Sequence, residues 1–163
     1  MHFTRLAVAA ALLAATATVY ASADPKATIA DLDARLAKIG APRVEGTDVV
    51  GGKTVPAIYF GKRKINNNFD VVDSVRKAHQ ATATVFVKSG DEFVRVSTNV
   101  LTPEGKRGIG TQLARNAAYA AVNSGQQYCG PIDVLGTAFD ACYNPIKDAS
   151  GTIIGVSYIG HKK

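Results

Sequence analysis

The hydrophobic and polar positions of the chain predict a helix over residues 26–39. Apolar side chains recur there at helical spacing and form one stripe: Ile29, Leu32, Leu36 and Ile39. Gly40 follows at the position where helices commonly end. A helix with a single apolar stripe is expected to pack that stripe against the rest of a folded domain.

Two shorter helices are predicted further along the chain. The first begins at the asparagines 66–68, whose side chains favour the N-cap position, and runs to about Ala78. One face of this helix is predicted to carry Phe69, Val72, Val75 and His79. The second is rich in alanine and runs from Thr111, as its cap, to about Asn123.

Six segments have the apolar and β-branched composition of strands: residues 55–60, 81–88, 92–100, 128–134, 139–146 and 152–159. Turn residues separate most of them, so neighbouring strands are expected to pair antiparallel. The polar, glycine-rich segment 43–53 predicts a loop or an irregular strand. This order indicates an α+β domain whose central antiparallel sheet has about five strands and carries a long N-terminal helix.

Residues 1–23 have the order of a secretory signal peptide. A short start with Arg5 precedes an apolar run over residues 6–19, and small residues follow at Ala21 and Ala23. Cleavage is expected after Ala23, leaving residues 24–163 as a single soluble domain in the periplasm or outside the cell. The alternative is a retained membrane anchor, although the run is shorter than the roughly 20 residues of a spanning helix.

The charge balance favours small anionic partners over nucleic acid. The net charge is +6, but basic residues are scattered along the chain, and the clusters at 62–64 and 106–107 are short. Neither cluster has interleaved aromatic residues, so nucleic-acid binding is not expected. A positive surface of this kind raises the local concentration of small anions.

Signatures of catalysis and metal binding are missing from the sequence. His79 and His161 are the only histidines after residue 23, and no hydrolase, metalloprotease or phosphate-loop motif occurs. The acidic residues lack the spacing of a metal loop. The protein is therefore expected not to be an enzyme and to need no metal or cofactor.

The two cysteines predict a disulfide. An exported chain meets an oxidising compartment, where paired cysteines are the rule. Cys129 and Cys142 lie about symmetrically around a predicted turn at Leu135-Gly136, so they can face each other across a hairpin. Redox, haem and zinc motifs are absent around both residues.

Binding chemistry is concentrated on the strand at 92–99. Side chains alternate along a strand, so one face is predicted to carry Phe93, Arg95, Ser97 and Asn99. An aromatic ring, a cation and hydrogen-bonding groups can together line a cleft for a small polar molecule. The planar fork of Arg95 suits a carboxylate. The alternative is that Arg95 lies on a solvated face, which antiparallel sheets often have.

Four further residues are weaker candidates for ligand contacts. Tyr119, Tyr128 and Tyr143 offer phenolic donors, and Lys147 offers a second cation. A tyrosine in a half-buried strand is more often part of a core or an interface.

A set of ordered motifs resembles a known family. The runs are PAIYFG (56–61), INNNFDVVD (65–73), ATATVFVK (81–88), GDEFVRVSTNV (90–100), GIGTQL (108–113), DVLG (133–136), YNPIKD (143–148) and GTIIG (151–155). Over about residues 49–160 the chain is similar to the single Cache sensor domain of the Cache 3/Cache 2 fusion type.

The resemblance implies a PAS-like fold with a ligand pocket on the sheet face opposite the long helix. Members of this family usually form the extracytoplasmic parts of chemotaxis receptors and sensor kinases, and they bind small metabolites, often short carboxylic acids. It also implies that Arg95 contacts the ligand, with Tyr143 and Lys147 as second contacts and Tyr119 and Tyr128 near the pocket.

The sequence departs from the family pattern after its last strand. A second membrane span and a cytoplasmic signalling module are not expected in this protein. The domain is therefore expected to bind a small anion and to depend on a membrane receptor or sensor kinase for signalling. The alternative is a protein–protein interaction module with a degraded pocket. It predicts a filled cavity and an exposed apolar patch, whereas ligand binding predicts a closed cavity on which Arg95 and a tyrosine or lysine converge.

Overall fold

Helix α1, Pro25–Ile39, is the first element of the computed structural model, which describes residues 24–163. The predicted signal peptide at 1–23 lies outside the described residues. The side chain of Asp24 caps the helix by accepting the backbone N–H of Lys26 at 2.9 Å. The predicted stripe faces the core, where three of its members are fully buried: Ile29, Leu32 and Leu36.

The other elements follow in chain order: β1 (Pro42–Val50), β2 (Lys53–Phe60), β3 (Arg63–Lys64), α2 (Asp70–His79), β4 (Thr82–Ser89), β5 (Glu92–Thr98), α3 (Ala117–Asn123), β6 (Tyr128–Val134), β7 (Thr137–Lys147) and β8 (Ile153–Lys162). Five strands form an antiparallel sheet in the order β5-β4-β8-β7-β6, and β1, β2 and β3 form a smaller antiparallel sheet. The expected α+β class and the five-stranded central sheet are confirmed.

The segment predicted as a loop or an irregular strand is the irregular strand β1. Its pairing with β2 shifts register between Val44 and Thr47. Gly46 lies in this bulge with a φ of 67°, a conformation that glycine adopts without steric cost.

The third helix is shorter than predicted. It begins after Asn116, whose side-chain oxygen accepts the N–H groups of Ala118 and Tyr119. Thr111 caps no helix, because its backbone carbonyl accepts the N–H of Arg95 at 2.9 Å. Pairing with the edge of β5 therefore overrides the helical pattern in this segment.

The central sheet buries a separate cluster on each face. One face packs against α1, α2 and β2. The other face packs against α3 and against residues 99–116, which we call the covering segment. No helix within residues 24–163 has the length and apolar character needed to cross a membrane.

Candidate anion-binding site

A bulge in β5 decides which residues share the face with Arg95. Phe86 of β4 pairs with Arg95, but the preceding residue, Val85, pairs with Ser97, so Val96 is extra. Arg95 consequently points to the face covered by α3, together with Phe93.

The predicted grouping of Ser97 and Asn99 with Arg95 is wrong for the same reason. Beyond the bulge, the Ser97 hydroxyl donates to the Asn68 carbonyl at 2.6 Å, and the Asn99 amide donates to the Val72 carbonyl of α2 at 2.7 Å. Both side chains therefore serve the opposite face, because one inserted residue reverses the alternation.

The Arg95 guanidinium is buried without an acidic partner. The residue is 3% exposed, and its Cζ lies 4.8 Å from the centroid of the Phe86 ring. Nη1 donates to Thr111 Oγ1 at 2.9 Å and to the Gln112 carbonyl at 3.1 Å, whereas the buried Nε has no hydrogen-bond partner. No Asp or Glu among residues 24–163 forms an ion pair with it.

Two buried tyrosines lie beside Arg95 and carry no compensating charge. Tyr143 of β7 and Tyr158 of β8 are paired in register, with ring centroids 4.8 Å apart. Burial raises the pKa of Tyr143 well above its usual range and raises the pKa of Tyr158 to about 12. Both phenols are therefore neutral near pH 7, while a guanidinium keeps its proton in proteins.

Burial lowers the pKa of Arg95, and the two neighbouring tyrosines act in the opposite direction. The guanidinium remains a cation, so its charge is unbalanced by the described residues. A buried ion without a counter-ion is unfavourable by several kcal/mol as an order of magnitude. The arrangement therefore favours the arrival of a small anion.

Of the residues predicted from the sequence, Arg95 and Tyr143 are brought together. The Tyr119 hydroxyl instead donates to the Asp91 carbonyl at 2.5 Å, and the Tyr128 hydroxyl donates to the Pro131 carbonyl at 3.0 Å. Lys147 is exposed and lines a hollow beside Asp33 of α1.

Tyr128 and Tyr119 nevertheless support the site through their rings. Tyr128 packs edge-on against Tyr143 with centroids 6.2 Å apart, and Tyr119 packs edge-on against Phe93 at 5.7 Å. These contacts position the aromatic neighbours of Arg95 without placing either hydroxyl near its guanidinium.

Sequence reasoning missed Tyr158. The sequence does predict the turn at 148–151 that joins β7 to β8, and in the structure the pairing of these strands places Tyr158 opposite Tyr143. That register requires a bulge between Ile146 and Lys147, which the alternation pattern does not reveal.

The covering segment closes the site and is held by Arg107. Nη1 and Nη2 of Arg107 donate to the two carboxylate oxygens of Asp73, each at 2.8 Å, and Nη1 also donates to the Thr98 carbonyl at 2.9 Å. The guanidinium stacks over Phe69 at 4.4 Å. This clamp ties the covering segment to α2.

We expect Asp73→Asn to loosen the covering segment and change global stability little. The variant loses the charged fork, yet exposed pairs of this kind contribute only about 0.5 kcal/mol to unfolding. Hydrogen exchange of the amides at 99–111 should become faster in the variant. Asp70→Asn, in the same helical turn but without an ion pair, is the matched control. Equal exchange rates in both variants would show that Arg107 does not hold the segment.

The two histidines connect elements and take no part in the site around Arg95. His79 Nε2 lies 2.8 Å from Asp31 of α1, and His161 Nε2 lies 3.0 Å from the Thr28 hydroxyl. Within the described residues, no three His, Cys, Asp or Glu side chains are close enough to hold a metal ion.

The predicted disulfide is confirmed. Cys129 of β6 and Cys142 of β7 are directly paired in the hairpin register and are joined by an S–S bond. The turn between the strands contains Leu135 and Gly136, both with positive φ, as a two-residue hairpin turn requires.

The sheet order, the long helix on one face and the buried arginine on the other define a PAS-like sensor domain. The chain belongs to the Cache 3/Cache 2 fusion domain family, whose family model matches residues 7–163. Cache domains are extracytoplasmic, non-catalytic modules that sense small molecules, and the disulfide is consistent with an oxidising compartment. A comparison with curated proteins found no match.

Proposed function

We propose that this Cache domain binds a small carboxylate, or a similar small anion, at Arg95. The supporting observation is the buried guanidinium, which has no acidic partner in the described chain and keeps an unpaired Nε. A bound anion would neutralise the charge in a low-dielectric site, where the attraction is strong.

A carboxylate suits this guanidinium better than a spherical anion does. Both hydrogen bonds of the group within the described chain come from Nη1. The Nε edge remains for a planar acceptor, and a carboxylate can bond Nε and Nη2 side by side. Tyr143 and Tyr158 provide neutral phenols beside Arg95, which fits recognition of an anion without a competing charge.

We further propose that the domain is exported, with its signal peptide cleaved after Ala23, and that it works in the periplasm or outside the cell. The bound anion would then be presented to a membrane receptor or sensor kinase. In this role the covering segment must open to admit the ligand, because Arg95 and its aromatic neighbours are all buried.

The same burial favours a second candidate function. Four aromatic rings fill the face around Arg95: Phe86, Phe93, Tyr143 and Tyr158. A filled face is what a protein–protein interaction module with a degraded pocket would have. The two functions differ in whether any small anion stabilises the native state.

A thermal-shift screen with acetate, propionate, succinate and glutarate tests the proposal. A ligand that binds only the native state stabilises it by about 2.7 kcal/mol at a hundredfold excess over its dissociation constant. We expect one acid to raise the melting temperature of the wild type. Arg95→Gln should abolish that rise, and Arg95→Lys should weaken it because the fork is lost.

Lys147→Gln is the matched control, since it removes one positive charge from the surface and should leave the rise intact. A cooperative melt that no acid shifts would support the interaction module instead. A rise that survives in Arg95→Gln would place the anion elsewhere.

A further inference from the structure

A cavity of about 310 Å³ opens at one end of the face that carries Arg95. Thr82 of β4 and Lys162 of β8 line it, and they alternate in register with Tyr158 and so share its face. Phe139 of β7, opposite Lys162, also lines the cavity. The cavity therefore lies over the ends of three central strands.

The walls of this cavity combine cations with an apolar floor. Arg76 and Lys162 are exposed at its edge, and neither forms an ion pair in the described part of the chain. No Asp or Glu is among its lining residues. Its apolar lining residues, which we call the floor, are Ala81, Val100, Val134 and Phe139, and its uncharged polar lining residues are Gln80, Thr82, Asn99 and Thr137. Leu101, 48% exposed, adds a large apolar side chain to the edge.

Tyr158 neighbours Arg95 and also contacts a residue that lines this cavity. A Cβ on Gly160 would lie 2.2 Å from the Tyr158 hydroxyl, so the glycine makes room for the ring. The hydroxyl lies 3.0 Å from Thr82 Oγ1, which lines the cavity. Neither Tyr158 nor Arg95 lines the cavity, which is therefore a place distinct from the Arg95 site.

We infer that this cavity is a second binding site, for a small monocarboxylate with an apolar body. Arg76 and Lys162 hold the carboxylate at the edge, and the apolar floor buries the body of the ligand. Ligand sites commonly combine a mostly apolar lining with a few placed polar groups, and this volume lies at the lower end of their range. Small acids such as acetate bury too little apolar surface to use this site well.

Benzoate is the probe for this site, and neutral benzamide is its uncharged counterpart. Benzoate should move the backbone amide NMR signals of Thr82, Val100 and Thr137, which line the cavity. Arg76→Gln combined with Lys162→Gln should weaken benzoate binding about tenfold, the sum expected for two exposed charge contacts. Lys26→Gln combined with Lys77→Gln makes the same change in net charge and should leave binding unchanged.

Three outcomes would overturn the second site. They are equal binding of benzoate and benzamide, equal binding in the two double variants, and the absence of signal changes at the lining residues. Arg95→Gln distinguishes this site from the proposed carboxylate site. Benzoate signals that persist in this variant support a separate cavity, whereas their loss would show that benzoate uses Arg95 alone.

Discussion

Replacing Cys129 and Cys142 together by alanine should lower the free energy of unfolding by about 3 kcal/mol. The two residues are separated by 13 positions, and the bond removes the entropy of that loop from the unfolded chain. Denaturant unfolding of the oxidised protein and of the double variant measures the difference. The dependence of the unfolding free energy on denaturant concentration should be nearly the same for both, apart from a small change in the unfolded state.

The reduced wild type is the matched control for this variant. Its stability should approach that of the double alanine variant, because both lack the cross-link and retain the same hairpin turn. Cys142 is fully buried, so complete reduction should require the denaturant that exposes it. Equal stability of the oxidised wild type and the double variant would contradict a stabilising bond.

Local signals predict the parts of this fold that depend on neighbours in the sequence. The apolar stripe of α1 can be predicted from the spacing of residues within one helix. The pairing of the two cysteines can be predicted from the two-residue turn at Leu135-Gly136. Both features are set within about 15 residues of chain, where helix and hairpin geometry fix the partners.

The candidate site could be predicted only in part, because its geometry depends on distant pairings. The alternation pattern identified Arg95 but placed Ser97 on the same face, since the bulge at Val96 arises from pairing with β4. The predicted start of α3 at Thr111 was wrong for a related reason, because the backbone of Thr111 pairs with that of Arg95 and Thr111 caps no helix. Such contacts between distant segments leave no periodic signal in the sequence.

The strands β7 and β8 connect the two faces of the sheet through adjacent residue pairs. Tyr143 and Tyr158 are paired next to Arg95, and the neighbouring pair, Asn144 and Ser157, faces α1. There the Ser157 hydroxyl donates to one oxygen of Asp33 and the Asn144 amide donates to the other, each at 2.6 Å. Asp33 therefore holds α1 to the strands that carry the tyrosines.

Asp33→Ala should lower the free energy of unfolding by about 3 kcal/mol, because it leaves two donors without an acceptor. Removing both members of a hydrogen bond costs less than removing one. Asp33→Ala combined with Ser157→Ala should therefore lose clearly less stability than the sum of the two single variants. Urea unfolding of the four proteins in this cycle measures the coupling, and strict additivity would show that Asp33 does not bind Ser157 in solution.

The effect of Asp33→Ala should also depend on pH. Burial raises the pKa of Asp33 above its usual 3.8, and the hydrogen bonds from Ser157 and Asn144 offset this only in part. The folded protein then holds the proton more tightly than the unfolded chain does, so the contribution of Asp33 is fully present below 3.8 and declines as the pH rises through the folded pKa. The loss of stability in Asp33→Ala should be larger at about pH 4 than at about pH 7. A loss that is larger at neutral pH would mean that the carboxylate is stabilised, and not penalised, by its place between α1 and the strands β7 and β8.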